Sequence, residues 1–405
     1  MEFLEHFRFL YDGVLYFFSS HEEIINEKLV MVPGWKHFVM ILIGGLLIYL
    51  ALAKDFEPAL LMPMGIGAIL VNLPLSGAIN QMNAALEEEV PGIIDWLFQV
   101  GIEASEALPL LLFIGIGAMI DFGPLLSNPK MFLFGAAAQF GIFLTVLVAS
   151  FMFPDFKDAA SIGIIGAADG PTAILVSQVF KSNYMGAIAV AAYSYMALVP
   201  IIQPVAIKAV TTKKERQIRM PYNPQSVSRR TRILFPIIVI VIAGLVAPAS
   251  VSLVGMLMFG NLLRECLKLD SLSQTAQTTL ANLITIVLGL TIAASMKAGA
   301  FLTVGTVVIM GLGLVAFVFD TIGGVMFAKL MNLFLPKDKK INPMVGGAGI
   351  SAFPMSARVI QKMALKEDNQ NHLLMHAVCA NVAGQIGSVV AGGIILTVVP
   401  RLIGG

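Results

Sequence analysis

The chain has 405 residues, of which 57% are hydrophobic and 13% are charged, whereas a soluble domain carries about 25% charged residues. The formal net charge of +1 gives no electrostatic reason to expect nucleic-acid binding. Cys266 and Cys379 lack metal-type spacing, so the sequence suggests neither a zinc site nor a disulfide framework. The composition therefore predicts an all-α polytopic membrane protein.

Residues 1–36 precede the first long apolar run. They are acidic and aromatic, and they lack the basic start and the small-residue cleavage site of a signal peptide. We expect an N-terminal interfacial segment here, in the form of an amphipathic helix that lies on the membrane surface.

Residues 37–207 are assigned to a first transmembrane repeat, because apolar runs of membrane-spanning length recur in it. Within it, the run "GIIGAADGPTAIL" (163–175) places Asp169 among glycines and before Pro171. Glycine loosens a helix, and proline cannot donate the backbone hydrogen bond that a continuous helix needs. Proline is favoured at the first position of a new helix. The sequence predicts that the helix breaks near Asp169 and restarts at Pro171.

Residues 208–232 form a strongly basic stretch in which Glu215 is the only acid. The positive-inside rule predicts that this loop is cytoplasmic. It is either a basic loop and nothing more, or a docking surface for a soluble partner.

Residues 233–405 are assigned to a second transmembrane repeat because they resemble the first. "GAILVNLPL" is similar to "GMLMFGNLL", and their asparagines, Asn72 and Asn261, are 189 positions apart (261 − 72). "GAADGPTAILVSQV" is similar to "GAGISAFPMSARVI", and Pro171 and Pro354 are 183 positions apart (354 − 171). An odd number of spans in the first copy would give the second copy inverted topology, as in secondary transporters.

The second copy also carries an interruption, "NPMVGGAGISAFPMSARV" (342–359), which is rich in glycine and contains Pro354. Paired interruptions at matching positions of two repeats are the best sequence indication of a transport site. We therefore expect the two breaks to face each other and to bring Asp169 close to the polar side chains of the second break.

An aspartate in a membrane span is by default a functional hypothesis. The oxygens of Asp169 suit Na⁺ or a proton, and Asn342, Ser351 and freed carbonyls would add neutral oxygens. The alternative is a structural acid that caps the restarted helix, since anions are favoured at helix N-termini. Both roles are compatible.

Four more side chains have open interpretations. Arg358 could pair with Asp169, hold an anionic substrate or extend to the cytoplasmic surface. Tyr193 and Tyr195 could donate protons or belong to an interfacial aromatic belt. Asp320 could be a second ion ligand or could brace the first site, and its spacing does not decide between them.

Five motifs resemble one family: "GIIGAADGPTAI", "YSYMALVPIIQP", "GNLLREC", "FDTIGGVMFAK" and "NPMVGGAGISAFPMSARVIQ". They are similar to the β subunit of the biotin-dependent, sodium-pumping decarboxylases, which act on oxaloacetate, methylmalonyl-CoA, glutaconyl-CoA or malonate. The resemblance covers the chain from about residue 37.

The resemblance implies a subunit that decarboxylates carboxybiotin and couples this reaction to Na⁺ export with uptake of an external proton. It implies two inverted repeats arranged as transport and scaffold regions in a multi-pass inner-membrane protein. The implied cofactors are Na⁺ and a carboxybiotin supplied on a separate carrier. The implied partners are the biotin carrier, the carboxyltransferase, a small membrane subunit and further copies of this chain, as a trimer.

The resemblance also implies the site residues. It makes Asp169, Tyr195 and Arg358 catalytic, and it makes Arg358 and Ser351 contacts for carboxybiotin. The implied Na⁺ ligands are Asp169, Asn342, Gly346 and Ser351.

Two other hypotheses fit the residues alone. A stand-alone sodium-coupled carrier for a small carboxylate would have the same repeats and broken helices. A membrane anchor for soluble subunits would not need Asp169.

Overall fold

The computed structural model describes residues 13–25, 28–54, 58–74, 76–83, 88–104, 106–221, 227–336 and 339–403. Helix makes up 81% of the structure, and this confirms the predicted all-α class. The described strands form two antiparallel hairpins, β1 (Ser20–Ile25) with β2 (Lys28–Pro33) and β3 (Gln81–Asn83) with β4 (Glu88–Val90).

The α-helices of the described chain follow one another with short connections. In chain order they are α1 Gly34–Lys54, α2 Pro58–Asn72, α3 Ile93–Phe98, α4 Ala107–Met119, α5 Gly123–Ser127, α6 Phe132–Ala138, α7 Phe140–Ser150, α8 Phe156–Gly163, α9 Gly170–Val179, α10 Met185–Val210, α11 Lys213–Arg216, α12 Arg229–Val246, α13 Val251–Glu265, α14 Asp270–Thr275, α15 Ala281–Ile292, α16 Ala298–Phe301, α17 Val304–Phe334, α18 Met344–Gly347, α19 Met355–Glu367 and α20 Leu374–Leu402.

Five helical stretches in the described chain are long and apolar enough to cross a membrane, or up to seven if each of two bent helix pairs is one span. A helix satisfies its backbone hydrogen bonds within one segment, which is why it is tolerated in hydrocarbon. The five stretches are Gly34–Lys54, Pro129–Ser150, Asp270–Met296, Val304–Phe334 and Leu374–Leu402.

The N-terminal segment corrects one expectation. Its described part includes a 3-10 turn, Tyr16–Phe18, followed by the β1–β2 hairpin, so the predicted amphipathic helix is wrong over β1 and β2. Val30 and Val32 are β-branched, which favours a strand over a helix, and the N–H of Gly34 donates to the carbonyl of Ser19 at 2.7 Å beside the open end of the hairpin, where Ser20 pairs with Pro33. Residues 1–12 and 26–27 of the predicted segment lie outside the described residues.

The chain divides into two compact units. Unit 1 comprises Met1–Leu108, Asn183–Val190 and Asn282–Val308, and unit 2 comprises the remaining residues. In unit 1, α1 and α2 pack closely through two glycines. A Cβ at Gly44 would lie 2.7 Å from the carbonyl oxygen of Gly65, and a Cβ at Gly65 would lie 2.7 Å from the carbonyl oxygen of Gly44. Small residues allow backbones to approach in this way inside membranes.

Unit 2 contains the two predicted breaks, α17 from Ile309 onward, and the long helix α20. Glycines again set the distances between helices. A Cβ at Gly324 of α17 would collide with the carbonyl oxygen of Gly346. A Cβ at Gly135 of α6 would collide with the carbonyl oxygen of Ala383 in α20. These contacts hold the second break against α17 and place α6 against α20.

Two asparagines that occupy matching positions in the two halves of the sequence make equivalent contacts. Nδ2 of Asn72 donates to the carbonyl of Met296 at 2.9 Å within unit 1, and Nδ2 of Asn261 donates to the carbonyl of Ile120 at 2.9 Å within unit 2. The acceptors are 176 positions apart (296 − 120). Each asparagine therefore bonds to the opposite half of the chain, as an exchange of contacts between two copies would produce. The duplication and its boundaries stay a prediction.

The connection between α10 and α12 is shorter than the predicted loop 208–232, because α10 runs to Val210 and α12 begins at Arg229. Thr212 and Glu215 form a capping box at the start of α11. Residues 222–226 lie outside the described residues. We call residues 216–220 the strap, because the carbonyls of Arg216 and Ile218 accept hydrogen bonds from Asn342 at the start of the second break.

Candidate ion site at two helix breaks

The first break separates α8 from α9. A 3-10 turn covers Ile164–Ala167, and Ala168 adopts the left-handed conformation with φ 52°. Asp169 is the N-cap residue of α9, which begins at Gly170, one residue before Pro171. The helix therefore breaks where the glycines and the proline indicate.

The carboxylate of Asp169 is buried, with 4% of the residue exposed. Its Oδ2 accepts hydrogen bonds from Oγ1 of Thr172 at 2.8 Å and from Oγ of Ser388 at 2.7 Å. Its Oδ1 accepts one long bond, from the backbone N–H of Thr172 at 3.4 Å. The backbone bond is a helix cap, and Oδ1 keeps capacity to accept more.

The second break begins at Asn342, includes the short helix α18, and ends where α19 begins at Met355. Ser351 in this break donates two hydrogen bonds to the carbonyl of Ala167 in the first break, from its N–H at 3.1 Å and from its Oγ at 2.6 Å. The structure therefore places the two breaks in direct contact, as we expected from their matching positions in the halves.

One face of α20 carries polar side chains to both breaks. Asn381, Gln385 and Ser388 are spaced by four and three residues and so share a helix face. Nδ2 of Asn381 donates to the carbonyl of Ile350 in the second break at 2.7 Å, while Ser388 holds Asp169. Among the described atoms, Oδ1 of Asn381 and Oε1 of Gln385 are buried and have no hydrogen-bond partner.

The two candidate tyrosines point to different places because they are two residues apart on α10, about 200° around the helix. The ring of Tyr193 covers Gly170, where it leaves no room for a Cβ. Its buried hydroxyl has no partner among the described atoms. The hydroxyl of Tyr195 donates instead to the carbonyl of Met310. Tyr195 stays a predicted catalytic residue, and Tyr193 is the tyrosine beside the first break.

Asn342 and Gly346 lie in the second break away from Asp169. Nδ2 of Asn342 donates to the carbonyls of Arg216 and Ile218 in the strap, both at 2.8 Å. Gly346 packs on Gly324 of α17. No described hydrogen bond joins either residue to Asp169, so their role as Na⁺ ligands stays a prediction.

Arg358 is exposed on the first turn of α19. It has no described ion pair with Asp169, so the two open interpretations that remain are an anion contact and an interfacial position. Two residues before Arg358, Oγ of Ser356 accepts a hydrogen bond from Nε2 of Gln203 at 2.6 Å, and the same Nε2 donates to the carbonyl of Gly347 at 2.8 Å. Gln203 thereby satisfies a carbonyl that the break leaves free.

The atoms at the joined breaks are oxygens of a carboxylate, hydroxyls, amides and backbone carbonyls. Within the described residues, no group of three or more His, Cys, Asp or Glu is placed to hold a metal ion. Hard oxygen donors and unwound backbone suit an alkali cation or a proton rather than a soft transition metal. The arrangement can therefore hold a monovalent cation.

Sequence reasoning missed Thr172, Ser388, Asn381 and Gln385. Thr172 follows Asp169 by three residues, the spacing of a helix cap, and this signal was available. The polar face of α20 is also visible as a period of three and four in an otherwise apolar helix. Its partner across 219 residues is not visible in the sequence.

Two broken helices that meet at a buried acid, in a polytopic helical protein, resemble the ion sites of membrane transporters. A family model for the beta subunit of Na⁺-transporting oxaloacetate decarboxylase matches residues 36–399. The chain therefore belongs to the family of beta subunits of Na⁺-transporting decarboxylases, and it is a multi-pass decarboxylase subunit.

Three relatives illustrate the range of the family. The chain is 48% identical to the methylmalonyl-CoA decarboxylase subunit beta of Propionigenium modestum, over 89% of this chain and 94% of the relative. It is 45% identical to the oxaloacetate decarboxylase beta chain of Klebsiella pneumoniae, over 93% and 98%. It is 47% identical to the glutaconyl-CoA decarboxylase subunit beta of Acidaminococcus fermentans, over 93% and 96%.

Proposed function

We propose that this chain decarboxylates carboxybiotin delivered by a partner subunit and couples the reaction to Na⁺ export with uptake of an external proton. The observation that supports this proposal is the direct contact of two helix breaks around a buried carboxylate, in a chain of the Na⁺-transporting decarboxylase family. Such a site binds a cation where the span is interrupted, which a membrane anchor would not need.

Na⁺ is the cargo of the proposed pump. Asp169 supplies the negative charge, and Ser351 supplies a neutral oxygen. Asn342 and Gly346 complete the predicted ligand set. The unpartnered oxygens on α20 are further neutral donors close to both breaks. An amide or hydroxyl oxygen that lacks a partner in the membrane is costly unless something binds it, and a cation would satisfy it.

Na⁺ and H⁺ compete for Asp169 because a carboxylate that binds one cannot bind the other at the same oxygen. This competition provides a route for exchange in which Na⁺ leaves as a proton arrives. Decarboxylation consumes that proton: the N–CO₂⁻ bond breaks, CO₂ leaves, and the ring nitrogen takes up H⁺. Tyr195 is the predicted proton donor, and Arg358 and Ser351 are the predicted contacts for the carboxylate.

Carboxybiotin would supply the carboxyl group from a separate carrier subunit. The proposed complex contains a carboxyltransferase, the biotin carrier and a small membrane subunit around this chain. The chain is proposed to form a trimer in the inner membrane. The acid or acyl-CoA that the complex consumes is chosen by the carboxyltransferase, and the three relatives already differ in it by name.

The proposal is tested with Asp169→Asn and Asp169→Glu in the purified complex, supplied with carrier-bound carboxybiotin at varied Na⁺ concentration. Asp169→Asn keeps the size and removes the charge, so Na⁺ binding and Na⁺-dependent decarboxylation should fail together. Asp169→Glu keeps the charge on a longer arm, so a little activity with weaker Na⁺ affinity is expected.

Asp158→Asn is the matched control, because Asp158 is also a buried acid in unit 2 but bonds to Oγ of Ser182 at 2.6 Å. It should retain Na⁺-dependent decarboxylation. Normal Na⁺ activation in Asp169→Asn would reduce Asp169 to a helix cap. Na⁺-driven uptake of a free carboxylate without any decarboxylation would favour the stand-alone carrier instead.

A further inference from the structure

Asp320 is a second intramembrane acid, in α17, and it is fully buried. Its Oδ1 accepts the backbone N–H of Ile142 at 3.0 Å. Ile142 is the third residue of α7, whose first N–H groups have no partner within the helix. The N-cap residue of α7, Gln139, makes no side-chain cap, so Asp320 caps α7 from another helix.

The other oxygen of Asp320 faces the first break. Oδ2 is buried and has no hydrogen-bond partner among the described atoms. A Cβ at Gly166 would lie 2.5 Å from this oxygen and 2.9 Å from Cβ of Ala316. Gly166 therefore rests directly on Asp320 and Ala316, with room for no side chain between them.

Gly166 is close to the ion site along the chain. It lies in the 3-10 turn, next to Ala167, whose carbonyl accepts both bonds from Ser351, and three residues before Asp169. A shift of Gly166 would thus move both the contact between the breaks and the carboxylate.

We propose that Asp320 is a positioning residue for the ion site, holding Gly166 and thereby the orientation of Asp169. The inference rests on the proposed function. It selects the bracing role over the ligand role, because Oδ1 is engaged by the N–H of Ile142 and Oδ2 lies against Gly166.

A neutral residue of the same shape can do this work. In Asp320→Asn the amide oxygen can still accept from α7, and the NH₂ group takes the place of Oδ2 against Gly166. In Asp320→Ala the cap and the contact with Gly166 are both lost. A positioning role therefore predicts rescue by asparagine, which an ionic role does not.

The test measures Na⁺-dependent decarboxylation by the assembled complex, separating the Na⁺ concentration for half-maximal rate from the rate at saturating Na⁺. Asp320→Ala should raise the half-maximal concentration by about fivefold or more, as expected for a lost buried hydrogen bond, with a smaller loss of maximal rate. Asp320→Asn should remain within about twofold of the wild type. If Asp320→Ala fails to assemble, Asp320→Ser, which retains a short hydroxyl acceptor, is measured in its place.

Gly166→Ala provides a second measurement. The new methyl group would collide with Oδ2, so Gly166→Ala alone should also raise the half-maximal Na⁺ concentration. In the Asp320→Ala background this collision is removed, and the same substitution should cost less.

Loss of Na⁺ activation in Asp320→Asn would make Asp320 an ion ligand and overturn the inference. Unchanged Na⁺ dependence in Asp320→Ala, or additive effects of the two substitutions, would also overturn it. If the wild-type complex shows no Na⁺ dependence, the proposed function fails, and with it this inference.

Discussion

Oδ2 of Asp169 accepts hydrogen bonds from two hydroxyls, those of Thr172 and Ser388, whereas Oδ1 accepts none from a hydroxyl in the described chain. Ser388→Ala removes that hydroxyl and leaves the charge. We expect weaker Na⁺ activation of decarboxylation, by an amount that corresponds to about 1–2 kcal/mol, and a less affected rate at saturating Na⁺. The measurement is a Na⁺ titration of the assembled complex.

Thr397→Ala is the control for this prediction, because Thr397 lies on the same helix and its hydroxyl donates only to the carbonyl of Gly393 at 2.7 Å. It should leave the Na⁺ titration unchanged. Equal titrations for Ser388→Ala and Thr397→Ala would remove Ser388 from the site.

At this scale, the sequence identifies residues that contrast with their surroundings. Asp169 and Ser351 stand out because they are polar within glycine-rich runs of an apolar chain. Gln385 and Ser388 do not stand out, because their importance depends on partners in distant breaks. The sequence does not distinguish Tyr193 from Tyr195, and only the helix geometry shows which of them reaches Gly170.

The breaks are the elements that the sequence predicts best. Glycines followed by Pro171 or Pro354 are local chemistry, and the structure begins new helices at Gly170 and Met355. The hairpin β1–β2 was missed because its pairing is a property of two segments.

The strap is the element that ties the basic loop to the second break. Nδ2 of Asn371 donates to the carbonyls of Arg216 and Ile218 at 3.2 Å, so two asparagines, Asn342 and Asn371, hold the same two carbonyls. Nε of Arg216 also bonds to Glu367 at 2.8 Å. The strap is thus bonded to residues both before and after α19.

We expect Asn342→Ala to loosen the strap, because two carbonyls lose their shorter hydrogen bonds. Trypsin should cut faster at Arg216 and Arg219 in this variant than in the wild type, as followed by the fragments that form over time. Equal cleavage rates would show that Asn371 alone holds the strap.

The ion pair between Arg219 and Asp368 sets the conditions for that experiment. The hydrogen bond from Arg219 lowers the pKa of Asp368, so the pair is formed at neutral pH and is lost only as the pH falls through this lowered value. Since Arg219 is exposed, salt screens the pair. Cleavage at high salt in neutral buffer should therefore depend more strongly on the asparagine bonds.

For the whole molecule, the distribution of charge predicts orientation. Loop 208–232 should be cytoplasmic because its Lys and Arg excess opposes export. A single-cysteine variant at position 225, treated with an impermeant thiol reagent, should be labelled in inverted vesicles and not from outside intact cells. Labelling from outside would show that the loop lies on the outer side, which would contradict the predicted topology and the direction of the proposed pump.

The whole-molecule class was predictable because composition alone requires a membrane, whereas the packing was not. The exchange of contacts by Asn72 and Asn261 joins residues far apart in the chain. A sequence shows two similar segments but not that each one bonds to the opposite half.

The pair of hydrogen bonds from Ser351 to Ala167 has a consequence for movement. If one break slid relative to the other, the carbonyl of Ala167 and two donors would lose their partners inside the protein, where both residues are buried, at a cost of several kcal/mol. The two breaks should therefore move together as one rigid body. A cation bound there would reach the other side of the membrane by a rigid-body movement of both breaks, and the atoms around it would keep the same arrangement during that movement.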